Sequence, residues 1–226
     1  MKIFKNKAFT LAEVLITLGI IGVVAAMTIP TLITYTQKKE TIAKLQRAIS
    51  VINQASKLSF DENGDPEDAF GMGAKAYFNQ YWEPYLKILK YCNTYSDCNY
   101  SEITPFKYSN GSKDTTVVVS NSSRVTFQTM DGFLYIIFTA GGSENGDVAI
   151  NQIYVDINGG TKPNVYGKDV FMLERLEEGK GVQPYCLNNT DGQVNVGCSM
   201  RPGSGRCCAE KIRRAGWKID STYPWK

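Results

Sequence analysis

Residues 1–33, MKIFKNKAFTLAEVLITLGIIGVVAAMTIPTLI, hold the pattern that decides the fold of this chain. Three lysines come first, at Lys2, Lys5 and Lys7. A long apolar run follows from Phe9, and 24 of its residues, 14–37, carry no charge. A helix rises about 1.5 Å per residue, so this stretch is long enough to cross a bilayer. Lysines on one flank favour a cytoplasmic amino terminus, with the rest of the chain exported.

One acid, Glu13, lies near the start of the apolar run. A carboxylate in a membrane-length helix costs free energy unless it has a partner or a function. Two plainer interpretations stay open, which are an ordinary secretory signal cut after Ala26 and an uncleaved membrane anchor. Neither explains Glu13, and the apolar core is long for a secretory signal.

Residues 7–15, KAFTLAEVL, resemble the prepilin peptidase recognition site of type IV pilins and type II secretion pseudopilins. In that family a short basic leader is removed just before a Phe, the new amino terminus is N-methylated, and the fifth mature residue is Glu. The resemblance implies cleavage between Ala8 and Phe9, N-methylation of Phe9, and roles in assembly for Glu13 and Pro30. Ala8 stands where the family usually has Gly.

The resemblance implies a structural subunit that assembles into a filament, and not an enzyme. We expect a type II secretion pseudopilus; the alternatives are a type IV or competence pilus subunit (adhesion, motility, DNA uptake) and a secreted disulfide-rich binding protein. The implied partners are prepilin peptidase, copies of itself or related subunits, an inner-membrane assembly platform and membrane lipid. The chain would cross the bacterial inner membrane once, with its head in the periplasm or outside the cell.

Removal of the leader would give Glu13 a partner. Cleavage exposes the Phe9 amine, a cation that can pair with Glu13 of a neighbouring subunit and offset the cost of burying that carboxylate. Small residues allow close helix approach at Gly19, Gly22, Ala25 and Ala26. Pro30 lacks a backbone donor and is expected to bend or locally melt the helix.

The charge balance argues against a nucleic-acid surface. The chain has 25 basic and 22 acidic side chains, and removing the three leader lysines leaves 22 of each. The excess of positive charge is therefore a targeting feature. A local cluster remains at Arg206, Lys211, Arg213 and Arg214, which we interpret as a solvated face.

These patterns divide the chain into four parts. Residues 1–8 are the cleaved leader, 9–37 the transmembrane and assembly helix, 38–60 its amphipathic continuation, and 61–226 the globular head. The continuation has apolar residues at helical spacing, at Ile42, Leu45, Ile49 and Ile52.

The head reads as a mixture of helix and antiparallel sheet. Segments rich in β-branched and aromatic residues predict strands at 115–120, 124–130, 133–139 and 152–156. Asp131-Gly132 predicts a two-residue hairpin turn. Residues 69–92 predict two helical pieces, with Pro84 opening the second. The fold class is therefore α+β and pilin-like, a long amino-terminal helix packed on a small sheet, with a disulfide-stapled carboxyl-terminal region.

The segment after the last predicted strand also resembles pilin-like heads, through VDINGG at 155–160, KPN at 162–164 and GKDVF at 167–171. Major pseudopilins bind calcium in a carboxyl-terminal loop, so the resemblance suggests calcium at Asp156, Asn158 and Asp169. Calcium needs six to eight oxygens, and only a fragment of the usual loop spacing is present. These side chains can instead cap turns. No cofactor is required in either case.

Cysteine usage supports export. Six cysteines are present, at Cys92, Cys98, Cys186, Cys198, Cys207 and Cys208, and the chain has no histidine. An even count beyond a membrane segment indicates disulfides, while zinc is poorly supported and free buried thiols are the alternative. Cys92–Cys98 is the best local pair. A bridge between neighbours is strained, so Cys207 and Cys208 are expected to reach back to Cys186 or Cys198.

Catalytic chemistry has little support, and we expect no catalytic residues. Without histidine there is no Ser-His or Cys-His pair, and no phosphate-binding glycine loop occurs. Paired acids at Asp61/Asp65 and Glu177/Glu178 read as surface residues. The segment 216–225 reads as an apolar strand or loop closing on the core, with a partner surface as the alternative.

Overall fold

The computed structural model describes residues 10–66, 72–138 and 152–225. The chain forms two compact units, Met1–Glu40 and Thr41–Lys226. One long helix, α1 (Leu11–Asn63), belongs to both. The expected four-part division, with its membrane and exported parts, stays a prediction.

The first unit consists, where described, of the first part of α1. Most of its large apolar side chains are exposed, such as Leu18 and Met27. Among the described residues α1 is the one helix long and apolar enough to cross a membrane. Helix α1 continues through Pro30, so local melting there is not observed. The Thr34 hydroxyl donates to the Pro30 carbonyl at 2.9 Å.

In the second unit, α1 buries a narrow stripe of small and apolar residues. Leu45 and Ile52 are fully buried, as the spacing predicts, whereas Ile42 and Ile49 are partly buried against the core. Ala48 and Ala55 complete the stripe and let the helix backbone approach the sheet. The Tyr135 hydroxyl consequently reaches the Ala48 carbonyl at 3.0 Å.

The sheet is a six-stranded antiparallel meander in sequence order. Its strands are β1 (Ile88–Tyr91), β2 (Arg124–Thr129), β3 (Leu134–Phe138), β4 (Gln152–Asp156), β5 (Val170–Leu176) and β6 (Gly181–Pro184). Three short helices lie outside it, α2 (Ala74–Tyr81), α3 (Asp191–Gly197) and α4 (Cys208–Arg214). Two 3₁₀ turns complete the elements of the described residues, at Glu83–Tyr85 and Ser96–Cys98.

Alternation along the strands builds two cores, because successive side chains point to opposite faces. Tyr135, Val155 and Phe171 face one cluster that includes α1, α2 and α4. Ile136, Tyr154 and Met172 on the same strands face a second cluster, closed by residues from 92 to 119. Both faces of the sheet are therefore covered.

The α+β prediction is confirmed, but several elements differ. Residues 88–91 form a strand and not a helix, because the 3₁₀ turn that contains Pro84 ends the helical stretch and Leu86 is extended. Residues 115–120, all described, form no strand; Val117 and Val119 are instead buried in the second core cluster. The sequence reading missed β5 and β6.

The predicted hairpin between β2 and β3 is present with a longer loop. The Thr129 amide donates to the Phe133 carbonyl at 3.0 Å, which leaves three residues, 130–132, in the loop. Gly132 has φ +89°, a conformation that glycine adopts readily. This is a three-residue hairpin, and the two-residue prediction was wrong.

Candidate functional sites in the two units

The start of α1 forms a capping box. The carboxylate of Glu13 accepts hydrogen bonds from the Thr10 amide at 2.8 Å and from the Thr10 hydroxyl at 2.9 Å. The Glu13 amide donates back to the Thr10 hydroxyl at 3.3 Å. These bonds satisfy amides that have no partner inside the helix. Sequence reasoning missed this role, although Thr-x-x-Glu before an apolar run is its signature.

The cleavage-site residues Ala8 and Phe9 lie outside the described residues. Processing at that bond and pairing of Phe9 with Glu13 stay predictions. Within the described part of the single chain, the Glu13 carboxylate has a hydrogen-bonding partner only one helical turn away, and its side chain is exposed. It is therefore accessible to a further partner.

In the second unit, Asp156 lies at the end of β4 and is 2% exposed. Its carboxylate accepts hydrogen bonds from the Tyr100 hydroxyl at 2.9 Å and from the Asn158 amide at 3.0 Å. Burial, reinforced by the negative charge of Asp169, raises the pKa of Asp156 to about 7.

Asp169 lies just before β5 and is 4% exposed. It accepts hydrogen bonds from the backbone amides of Asn164 and Val165, at 2.8 and 2.6 Å, and from the Asn158 side-chain amide at 3.0 Å. Burial raises the pKa of Asp169 as well. The structure thus brings Asp156, Asn158 and Asp169 together in one network that fixes the loop from β4 to β5.

This network fits a hydrogen-bonded loop better than a calcium site. Two buried oxygens, Asn158 Oδ1 and Asn164 Oδ1, have no hydrogen-bond partner among the described residues and could serve a cation. The carboxylates face protein N–H and O–H donors, which occupy the positions that calcium would need. No metal-holding group of three acidic, histidine or cysteine side chains occurs in the described parts of the chain. Calcium binding stays a prediction.

Three disulfides staple the second unit. They join Cys92 to Cys98, Cys186 to Cys207, and Cys198 to Cys208. The adjacent Cys207 and Cys208 each reach back to a different partner, which ties residue 186 and helix α3 to the start of α4. Gly167 leaves room for this arrangement, because a Cβ there would lie 2.8 Å from Cys208 Sγ.

The basic residues near the carboxyl terminus are partly exposed, as a solvated face would be, but they also bind acids and carbonyls of their own chain, which the interpretation did not include. Arg213 and Arg214 both bind the fully buried Glu210, with N–O distances of 2.7 Å. Lys211 donates to the Thr222 carbonyl at 3.0 Å. These contacts within the chain reduce the positive charge that the cluster presents to a polyanion such as a nucleic acid.

Arg206 binds the fully buried Asp114 at 2.9 Å. The Tyr166 hydroxyl donates to the same carboxylate oxygen at 3.0 Å, and Thr116 donates through its amide at 2.8 Å. Burial alone would raise the pKa of Asp114, but the bonds from Thr116 and Arg206 outweigh it and lower the pKa to about 2. The carboxylate is therefore charged at neutral pH.

Of the remaining candidate acids, Asp61, Glu177 and Glu178 are exposed, as predicted for surface residues, and Asp65 is partly buried. Asp65 binds Arg175, whose side chain is almost fully buried, at 3.2 Å, and accepts the Glu178 amide at 2.6 Å. Glu178 pairs with Lys180 at 2.6 Å, and Asp61 is exposed. These contacts give the acids structural roles.

The segment 216–225 closes on the core as a loop. Trp217 and Trp225 pack against the first core cluster, where Tyr223 is buried. The Tyr223 hydroxyl donates to the Gly167 carbonyl at 2.6 Å.

Two family models match the chain. Residues 3–29 match the prokaryotic N-terminal methylation motif. The motif, with the long helix and the antiparallel sheet, indicates a type IV pilin-like subunit. Residues 31–226 match the family of unknown function DUF6613, and the chain belongs to that family. No curated protein and no solved structure matches the chain.

The methylation motif has direct consequences. It implies processing by prepilin peptidase and assembly with pilin-like subunits. Together with the apolar helix α1, it is consistent with a membrane-anchored structural subunit.

Proposed function

We propose that the chain is a structural, non-enzymatic subunit of a type II secretion pseudopilus. The observation that carries this proposal is the start of α1, where Glu13 is the one acid of a long, exposed apolar stretch and is held only by Thr10 among the described residues. An apolar surface of this length needs a bilayer or neighbouring helices to cover it.

Assembly would exchange the partners of Glu13. In the unassembled chain its carboxylate accepts hydrogen bonds from uncharged donors of Thr10. Cleavage before Phe9 creates a positively charged amine, and a bond from that amine on a neighbour adds the attraction between two opposite charges to the hydrogen bond. The low dielectric of packed helices strengthens the attraction further. Each incoming subunit is then held in register by one ion pair.

The covalent steps can be tested by mass spectrometry and amino-terminal sequencing of the protein purified from its host. The expected mature chain begins with N-methyl-Phe9. A chain that begins at Met27, as a secretory signal cut after Ala26 would give, contradicts the filament proposal.

The charge-pairing step is tested with Glu13→Ala. We expect membrane insertion and processing to be kept while incorporation into sheared, pelleted filaments falls about tenfold or more, as befits loss of a buried ion pair. Thr17→Val is the matched control, because the Thr17 hydroxyl bonds only backbone carbonyls of its own helix. Normal incorporation of Glu13→Ala would remove the charge-pairing account.

The choice of machine is tested by deleting the gene in its host. A pseudopilus subunit is required for export of folded proteins, so the proteins in the culture medium should decrease. Unchanged secretion with lost surface fibres, motility or DNA uptake would replace the pseudopilus by the alternative, a type IV or competence pilus.

A further inference from the structure

A cavity of about 620 Å³ opens in the second unit between α2, the end of β1 and the start of β2. Residues 120–122 form its remaining wall. Its size falls within the range of small-molecule sites. The structural roles of the disulfides and of the network around Asp156 and Asp169 do not explain why this cavity is present.

The floor of the cavity is aromatic and rigid. Phe78 is fully buried, and the ring of Tyr91 meets it edge-on, with centroids 6.1 Å apart and an interplanar angle of 84°. The Tyr91 hydroxyl donates to the Glu83 carboxylate. This bond fixes the orientation of the Tyr91 ring and gives the carboxylate a partner within the chain. Tyr91 nevertheless stays 40% exposed, so part of an immobilised apolar surface faces the cavity.

The rim consists of carboxamides and hydroxyls, from Asn79, Asn93, Asn121, Ser120 and Ser122. The Ser120 hydroxyl is used, since it donates to the Asn93 carbonyl at 2.5 Å. Asn121 Oδ1 accepts a hydrogen bond from the Ser123 backbone amide at 3.0 Å. The side-chain NH₂ group of Asn121 takes no part in that bond. Asn79 and Asn93 are exposed. A carboxamide offers both donors and an acceptor, as a sugar hydroxyl does.

Three charged side chains line the cavity, Lys75, Glu83 and Arg124, and Lys75 is exposed. The Arg124 guanidinium lies over the Phe138 ring at 4.4 Å and donates to the Val118 carbonyl. Glu83 is held by Tyr91. A site with an apolar aromatic floor, a donor–acceptor rim and one exposed lysine suits a ligand with one apolar face and polar edges that is neutral or carries a single carboxylate. We propose that this cavity, the Tyr91 cavity, binds a saccharide ring whose C–H face lies on Tyr91 and whose hydroxyls bond Asn79 and Asn93.

An extended peptide suits this place less well. It would need to add to β1, which is the edge strand of the sheet. The pairing of β1 with β2 is interrupted between Ile88 and Lys90, and lysines lie at 87 and 90, on either side of Ile88 and the exposed Leu89. Short strands, irregular pairing and edge lysines all oppose the addition of another strand.

The test uses the full chain in lipid nanodiscs, because glycoside detergents would compete for the site. Saturation-transfer NMR would probe N-acetylglucosamine, galactose and glucuronic acid, with an eight-residue Val/Thr-rich peptide as the competing class. We expect transfer to the ring C–H protons of at least one sugar, with a Kd on the order of 1 mM. Tyr91→Ala and Asn93→Ala should each weaken binding about tenfold or more.

Two variants separate binding from folding. Tyr95→Ala removes a comparably exposed tyrosine (39%) outside the cavity lining and should leave the sugar signal unchanged. Tyr91→Phe keeps the ring and should keep most of the signal. The proposal is overturned by absence of transfer to every sugar, by transfer that survives both alanine variants, or by binding of the peptide in place of the sugars.

Discussion

The two units of this chain use apolar residues in opposite ways. In residues 11–40, large aliphatic side chains such as Leu15, Leu18 and Ile21 are at least half exposed. In the second unit, residues of the same kind are fully buried in two clusters on either face of a sheet. Buried apolar area supplies most of the folding free energy. The second unit is therefore stabilised by its own core, whereas the first needs a bilayer or neighbouring helices to cover its apolar side chains.

The carboxylates of the two units also differ in where their partners lie. In the second unit the carboxylates of Asp114 and Glu210 are fully buried and bind arginines of their own chain. Glu13 has only the short-range bonds from Thr10 within the described part of the first unit. The buried carboxylates of the second unit thus have charged partners in their own chain, whereas Glu13 remains accessible to a partner on another molecule.

The largest expected difference between the two units comes from a leucine-to-alanine substitution made at two places in α1. Leu45→Ala should lower the free energy of unfolding of the head by about 2–5 kcal/mol, because Leu45 is fully buried. Leu18→Ala, at a side chain that is 60% exposed, should leave it unchanged. All three tryptophans, Trp82, Trp217 and Trp225, lie in the second unit, so tryptophan fluorescence during thermal unfolding reports on the head alone.

Equal losses for the two leucine variants would show that the stability of the head depends on the first unit. Equal absence of effect would show that α1 contributes no packing energy at Leu45. Either result would contradict the conclusion that the second unit is stabilised by its own core, with Leu45 part of it.

The disulfides are expected to stabilise the second unit alone. Replacing Cys186 and Cys207 together by alanine opens a loop with a sequence separation of 21 and should cost the head about 3 kcal/mol. The double variant of Cys92 and Cys98, with a separation of 6, is the matched control and should cost less. Chemical denaturation of the full chain in nanodiscs measures both, and membrane insertion of the first unit should be the same in each.

A larger loss for the Cys92/Cys98 variant than for the Cys186/Cys207 variant would contradict the loop-length argument. It would instead assign the stabilising role to the second core cluster, where Cys92 and Cys98 are buried.

The sequence predicts the long helix and part of the sheet because their signals are local. The apolar run, the 3–4 spacing at Leu45 and Ile52, and the turn at Asp131-Gly132 each act over a few residues. The failures have tertiary causes. Residues 115–120 have strand composition, but Val117 and Val119 are used to cover a sheet face instead of extending it.

The sites divide in the same manner. The Thr10–Glu13 capping box could have been found, since its pattern lies in four residues. The pairing of Arg206 with Asp114 could not, because 92 positions separate them and either alone reads as a surface charge. The Tyr91 cavity combines α2, β1 and β2, so no stretch of sequence contains its pattern.

The buried ion pair provides a pH-dependent test of the second unit. The folded pKa of Asp114, about 2, lies below its ordinary value of 3.8. A lowered carboxyl pKa stabilises the fold above the unfolded value, and this contribution, on the order of 2 kcal/mol, is lost as pH falls from about 4 through 2. Asp114→Asn should therefore remove part of the acid sensitivity between pH 4 and 2, measured by thermal unfolding across that range.

Asp191→Asn is the control for this titration, because Asp191 is 85% exposed in its contact with Arg214. Its acid sensitivity should match the parent chain. An Asp114→Asn profile parallel to that of the parent would exclude the Arg206 pair as a source of acid sensitivity.

The smallest expected effect concerns the start of the first unit. Thr10→Val removes the hydroxyl that accepts the Glu13 amide at 3.3 Å and donates to its carboxylate. Loss of a cap costs about 1 kcal/mol, so amides 11–14 should exchange with solvent about fivefold faster in nanodiscs. Thr10→Ser keeps the hydroxyl and should restore protection, whereas a Thr10→Val profile equal to the parent would mean that the capping box does not stabilise the helix start. The substitution leaves the backbone amide of residue 10 bonded to the Glu13 carboxylate. Faster exchange with undiminished filament incorporation would therefore show that the Thr10 hydroxyl serves the unassembled chain alone.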